Sequence, residues 1–264
     1  MNNKDINEIV LVDGSGYIFR AYYALPRMTR SDGLPVNAIF GFCNMLLKLL
    51  EDIQKEKGGG IGVAVIFDAA RKTFRNDIYQ DYKANRSDPP EDLVPQFDII
   101  KKIPELFNIP SIQSLGFEAD DLIASYSKKA IDEDINVTIV SSDKDLMQLL
   151  KYNVTLFDPI KRKDIGPKDV LEKFGVNPTK VIDVQALAGD QSDNIPGIPG
   201  IGVKTASLLI NEFDNLENLL DKCSTIPQIK RRKKIESNKE LAIISKKLVT
   251  LKEDIELPIS LEEL

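Results

Sequence analysis

The sequence contains no histidine. Its absence removes the usual general base, the Ser-His and Cys-His nucleophile arrangements, and imidazole ligation of zinc. Cysteine is nearly absent too. Cys43 and Cys223 stand far apart with no CxxC spacing, so reduced thiols in a cytoplasmic protein are the expectation. No apolar run is long enough to span a bilayer, and "MNNKDINEIV" lacks the basic-then-apolar pattern of an export signal. Hydrolytic chemistry, if present, must therefore rest on carboxylates, lysines, tyrosines or hard metal ions.

Charge is plentiful but unevenly spread. The net charge of −6 argues, on average, against a polyanionic partner. Between Gln228 and Lys252, however, nine Lys/Arg face two Glu, and between Arg71 and Arg86 five basic residues face two acidic ones. A chain of 264 residues can bury a full core as one large domain or two unequal ones.

Short β-rich runs alternate with helical periodicity, predicting an α/β fold with a largely parallel sheet and flanking helices. "EIVLVD" (8–13), "VAVIFD" (63–68) and "VTIVSSD" (137–143) read as strands, and "SIQSLG" (111–116) as a weaker one. Helices are expected over 37–57, stopped by Gly58-Gly59-Gly60, over 119–130, and near 95–107. Pro and Gly punctuate 158–178, and the text beyond reads as wholly helical, which places a boundary between units 1–178 and 179–264.

Three expected strands end in aspartate: Asp13, Asp68 and Asp143. The carboxyl ends of parallel strands form one ligand-binding rim. Asp145 follows in "SSDKD", "FEADD" adds Glu118, Asp120 and Asp121, and "GDQSDN" adds Asp190 and Asp193. Any one of these could be a helix cap or a solvated surface acid. Nine together could coexist only with counter-ions, since two like charges 4 Å apart repel by roughly 4 kcal/mol at an effective dielectric of about 20. All-oxygen ligands favour Mg²⁺ or Mn²⁺ over Zn²⁺. Two such ions suit in-line attack of water on a phosphodiester without a protein nucleophile.

Two segments could receive a polyanion. "ARKTFRNDIYQDYKANR" interleaves Arg71, Lys72, Arg75, Lys83 and Arg86 with Phe74, Tyr79 and Tyr82, a mixture that suits phosphates and unpaired bases or a plain solvated helix face. Arg20 lies near the same rim. "NIPGIPGIGVKTASLLI" is a Gly-rich turn opening a helix, where free N–H groups, Lys204 and Thr205 can meet phosphate. A simple Pro/Gly turn between helices is the alternative reading, and the basic block 230–234 extends its face.

Together, "LVDGSGYIFRAYYALP", "VIFDAARKTFRNDIYQDYKANR", "GFEADDLIAS", "VSSDKDLMQL" and "LAGDQSDNIPGIPGIGVKTA" resemble the 5′-nuclease domain at the N-terminus of bacterial DNA polymerase I, in the flap endonuclease superfamily. The resemblance implies a PIN-like core with a helical arch near 70–95 and a helix-three-turn-helix DNA-binding subdomain. It implies metal-site roles for Asp13, Asp68, Glu118, Asp120, Asp121, Asp143, Asp145, Asp190 and Asp193, holding two or more Mg²⁺ or Mn²⁺ ions. Arg20, Lys83 and Arg86 would act at the scissile phosphate. Arg71, Lys72, Arg75, Tyr82, Gly200, Gly202, Lys204 and Thr205 would bind DNA, with K⁺ at the hairpin.

The implied activity is 5′→3′ exonuclease and flap cleavage in replication and repair. The implied substrates are DNA with a 5′ flap or single-stranded 5′ end on a duplex, and RNA primers. A monomer in the bacterial cytoplasm, at the nucleoid and away from membranes, is expected, with a DNA polymerase in cis or in trans. Because no polymerase region follows Leu264, the chain is expected to be either a stand-alone nuclease or an excised domain. A PIN-type ribonuclease, an inactive DNA-binding module and an aspartyl-phosphate receiver or phosphatase are the competing readings. The first is opposed by the hairpin and the second by the intact acidic set; the third explains neither hairpin nor basic segment.

Overall fold

A computed structural model describes residues 6–57, 60–151 and 153–264. Six strands form one sheet in the order β3-β2-β1-β4-β5-β6: β1 Glu8–Asp13, β2 Ile61–Ile66, β3 Ser111–Ile112, β4 Asn136–Val140, β5 Val154–Asp158 and β6 Lys163–Ile165. Neighbours pair in parallel except β5 and β6, which form an antiparallel hairpin.

β1 lies at the centre of the sheet, and its alternation shows how both faces are covered. Ile9 and Leu11 point into one apolar cluster with α6 (Ala119–Asp132) and the C-terminal helices, while Val10 and Val12 point into a second with α1 (Gly14–Ala24) and α2 (Asn37–Lys57). The C-terminal half comprises α7 (Pro167–Phe174), α8 (Val181–Ala188), α9 (Val203–Phe213), α10 (Leu216–Asp221), α11 (Ile229–Ser237) and α12 (Lys239–Val249). The first cluster runs without a break from β1 to Leu251 and Leu261, across the expected boundary at residue 178.

Several expectations shift. β2 ends at Ile66, two residues before Asp68, and β4 ends at Val140, three before Asp143. The break after β4 has a local cause: the Ser141 hydroxyl accepts the Asp143 N–H at 3.0 Å, a side-chain turn that competes with the ladder. The strand expected over 111–116 shrinks to two residues. The punctuated region 158–178 contains the β5–β6 hairpin and α7, whose Pro167 start and left-handed Gly175 stop mark a helix rather than a loop. The helix expected near 95–107 is broken into α4 (Phe97–Ile100) and α5 (Ile103–Leu106). Helix α2 has the expected span, but Gly58 and Gly59 of its stop lie outside the described residues, as do the first five residues of the chain.

The segment expected as a helical arch is mostly not helical. Within 70–93 only α3 (Phe74–Ile78) is α-helix, and turns follow to Arg86 with Lys83 at φ +56°. This strap is fastened along its length to the 190–194 loop. Lys83 N–H donates to Asp193 O at 2.9 Å, Asn85 Nδ2 to Gln191 O at 2.6 Å, and Asn194 Nδ2 to Asp81 O at 2.6 Å.

Candidate active site

The carboxyl end of the sheet gathers the acids from separate segments. Asp13 closes β1 and caps α1, with its Oδ1 accepting Gly16 N–H at 2.8 Å and its Oδ2 accepting the Ser141 hydroxyl at 2.8 Å. Ser141 in turn supports Asp143, whose Oδ1 accepts the Asp145 N–H at 2.9 Å. Asp68 crosses to the start of α6, where its Oδ1 accepts Ala119 N–H at 2.8 Å. Asp190 and Asp193 follow the end of α8 and face the same rim through cationic partners.

Those partners are lysines and an arginine. Lys83 Nζ donates to Glu118 Oε1 at 2.7 Å and lies 3.6 Å from Asp193 Oδ2. Arg86 pairs with Asp193, and Lys144 with Asp190. Tyr82 is buried beneath them, its hydroxyl donating to Glu118 at 3.1 Å and Asp193 at 3.3 Å. It therefore presents no free face for a base to stack on. No group of three His, Cys, Asp or Glu side chains among the described residues is drawn together to hold a metal ion. Cationic side chains meet the acids' charge instead.

The electrostatics record the crowding. Burial, with the carboxylates of Asp143 and Asp68 adding to it, raises Asp13 to about 6 despite its two hydrogen bonds. Burial and Asp143 raise Asp145 to about 7, and burial with Asp143 and Asp13 raises Asp120 well above the usual carboxylate range. Asp190 shows the converse: burial pushes it up, but the Lys144 ammonium and the Ser192 N–H outweigh that and hold it low. Burial likewise depresses the Lys83 ammonium, yet Glu118 and Asp193 leave it raised.

Asp121 and Arg75 depart from expectation. Asp121 is fully buried, and Arg75 is 1 % exposed. Arg75 donates to both Asp121 oxygens, at 2.6 and 2.7 Å, while Asp121 also accepts Glu118 N–H at 3.1 Å and Lys252 N–H at 3.0 Å. A carboxylate with its oxygens so occupied has no lone pair turned to the rim, and a guanidinium so enclosed offers nothing to an outside phosphate. The pair is interior structure, so neither residue takes the place expected of it, a metal acid and a DNA-facing cation.

The remaining expected residues lie along two cavities beside the rim and in the Gly-rich turn. A cavity of about 660 Å³ is lined by Ser15, Phe19, Asp68, Arg71, Lys72, Lys83, Arg86 and Lys101. Arg71 is tied to Asp88 and to the carbonyls of Arg86 and Ser87, whereas Lys72 is exposed. Arg20 borders a second cavity of about 500 Å³ beside Asp13 and Ser141. The Gly-rich turn joins α8 to α9, with Gly202 as the cap of α9, Lys204 exposed and Thr205 half-buried. Gly197, at φ +57°, lies so close to the Gly189 backbone that a side chain there would collide with it.

Sequence reasoning passed over several groups that touch the acids. Lys144 was in view between Asp143 and Asp145, and its sign alone could have marked it. Lys101 donates to Asp68 O at 2.8 Å, and Gln185 Nε2 to Asp145 Oδ1 at 2.6 Å, from 40 residues away in the second case. Nothing local distinguishes those two.

The comparisons with known proteins agree with this architecture. Residues 8–175 match the model of the 5'-3' exonuclease N-terminal resolvase-like domain, and residues 176–264 that of the 5'-3' exonuclease C-terminal SAM fold. The chain belongs to the 5'-3' exonuclease family. It is 52 % identical over 264 residues to DNA polymerase I of Rhizobium leguminosarum, covering 99 % of this chain but 26 % of that one. A 5'-3' exonuclease of Buchnera aphidicola is 38 % identical, with 100 % of this chain and 93 % of that one covered. Among solved structures, the T5 5'-exonuclease with bound divalent metal ions (zinc) superposes with a TM-score of 0.77 at 26 % identity. That match covers 92 % of this exonuclease-family chain and 89 % of the T5 chain. The Rad2 catalytic core, at 18 % identity and a TM-score of 0.58, shares the fold.

Proposed function

We propose that this 5'-3' exonuclease-family chain hydrolyses DNA phosphodiester bonds with divalent cations, cutting 5′ flaps and removing RNA primers during replication and repair. The observation that carries the reading is one edge of a parallel sheet. Acids from five separate segments meet there, beside a cation-lined cavity and on the same chain as a Gly-rich helical hairpin. A solved T5 relative named as a flap endonuclease, at 26 % identity, is described with DNA and metal ions, which supports the substrate class.

The residues fit hard dications. The donors are carboxylates without histidine or cysteine, which suits Mg²⁺ or Mn²⁺. Asp13, Asp120 and Asp145 hold protons more tightly than usual because buried like charges lack a sufficient counter-charge. Asp13, Asp68, Glu118, Asp120, Asp143, Asp145, Asp190 and Asp193 would hold the ions. Bound there, they would lower the pKa of an attacking water and stabilise the leaving oxygen.

The chain's own work is positioning. Ser141, Gln185 and the Ala119 N–H orient Asp13, Asp145 and Asp68 through the bonds described. Lys83 and Arg86, freed from Glu118 and Asp193, would turn to the scissile phosphate, with Arg20 as a further cation at the rim. The hairpin from Gly200 to Thr205 would grip duplex backbone through N–H groups and Lys204. A DNA polymerase acting in cis or in trans belongs to the same reading, given the length of the Rhizobium relative.

The test is cleavage of an end-labelled 5′-flapped duplex. Cutting near the junction with Mg²⁺ or Mn²⁺, abolished by EDTA and by Asp143→Asn, is the expected result. Cutting that survives EDTA, or that prefers unstructured RNA over the flap, would overturn the reading.

A further inference from the structure

The C-terminal end of α12 is held by an unusual set of interior side chains. The last carbonyls of any helix lack intrahelical donors. Here Arg75 Nε donates to Leu248 O at 2.7 Å and its Nη2 to Thr250 O at 3.3 Å. Gln148, 9 % exposed, donates to Val249 O at 3.0 Å and accepts Leu251 N–H at 3.2 Å. Asp121 accepts Lys252 N–H at 3.0 Å. A guanidinium at this end also matches the negative pole of the helix.

Each of these side chains comes from a segment that carries rim acids. Arg75 lies between Asp68 and Lys83. Asp121 is one residue beyond Asp120 and also bonds the Glu118 N–H. Gln148 belongs to the 3-10 helix Asp145–Leu149 and donates back to Asp145 O at 2.9 Å. The other side of the same helix reaches the Gly-rich turn: Gly197 N–H donates to the Ser245 hydroxyl at 2.9 Å, with Ser245 fully buried. α12 thus touches the hairpin at Ser245 and, with the turn that follows it to Lys252, meets side chains from the segments of Asp68, Glu118–Asp121 and Asp143–Asp145.

We propose that α12 couples the hairpin to the acidic rim, with Gln148, the Arg75–Asp121 pair and Ser245 as positioning residues that act through its C-terminal turn. The inference rests on the proposed function, for it supposes that the hairpin binds duplex and the rim binds divalent cations. Its consequence is thermodynamic: duplex held at the hairpin strengthens cation binding at the rim, and cations strengthen duplex binding by the same factor. Gln148→Met keeps the bulk and removes the bonds to Val249 O and Leu251 N–H, together with that to Asp145 O. Ser245→Ala removes only the link to Gly197.

The experiment measures Mn²⁺ affinity by titration calorimetry, with and without a duplex whose junction linkages are methylphosphonates and resist cutting. In the natural protein the duplex should tighten Mn²⁺ by about 5-fold or more. In Gln148→Met and in Ser245→Ala the ratio should fall to within about 2-fold of unity while each ligand alone still binds. A ratio that stays at its natural value in the folded variants overturns the proposal, and Ser245→Ala decides the matter if Gln148→Met does not fold. A purely structural role would lower both affinities and thermal stability without changing the ratio. Absence of Mn²⁺ binding or flap cleavage in the natural protein would instead remove the functional reading itself.

Discussion

Asp13 and Asp145 show how a rim of crowded acids behaves as a titrating element of the fold. Both are raised, to about 6 and about 7, against an ordinary aspartate value of 3.8. Between those limits the folded, metal-free protein holds protons that the unfolded chain has released. Their stabilising contribution is complete below the unfolded value and disappears as pH rises through the folded one. The depressed carboxylates such as Asp190 act in the other sense, but only as pH falls below about 4. In EDTA, urea unfolding should therefore show greater stability at pH 5 than at pH 7.5, by on the order of 3 kcal/mol. Under the proposed function Mn²⁺ would bind the deprotonated acids, and it should then flatten or reverse that slope. A metal-free profile that rises from pH 5 to 7.5 would contradict the crowding of buried acids.

The strap from Tyr79 to Arg86 and the loop from Asp190 to Asn194 form a pair of elements whose attachment has no sequence signature. Asn194 sits at φ +55° and binds Asp81 O. Replacing it with Gly keeps the left-handed backbone comfortable and deletes only the side-chain bond, a cleaner change than Ala. Asn194→Gly should cost about 1 kcal/mol or less in global stability. Hydrogen exchange at the Lys83 amide, which donates to Asp193 O, should nevertheless accelerate markedly. Unchanged exchange there would mean the strap is held by its ion pairs alone.

What could be read beforehand follows the same division. The span of α2 and the acidic start of α6 were legible because periodicity and helix-end charge are local properties. The β5–β6 hairpin is hard to read because Pro159 and Gly166 interrupt the text that follows the β-prone "VTLFD". Asp13, Asp68 and Asp143 were legible because each follows a β-prone apolar run. The assignment of Asp121 was not, since its partner Arg75 is 46 residues away and looks like one more member of a basic surface.

Across the whole molecule, a net charge of −6 coexists with an exposed basic face on α11, and the two are compatible because the charges are segregated. Lys230, Lys233 and Lys234 of α11 are exposed, and Lys234 reaches over Gly200 of the hairpin turn. The acids, by contrast, are gathered at the sheet edge and partly neutralised from within by Lys83, Arg86 and Lys144. Phosphates near α11 would thus feel local rather than average charge, because charges beyond about 10 Å are screened at 0.1 M salt. Duplex affinity should fall steeply with salt, with a slope of about −0.9 per phosphate neutralised. Substituting Lys233 and Lys234 together by Gln should reduce that slope by about 2 units if both contact phosphate. The loss should be alike for all duplex sequences, since phosphate contacts carry no base information. A salt-independent affinity, or a double variant with the natural slope, would place the duplex on another face and detach the hairpin from the proposed function.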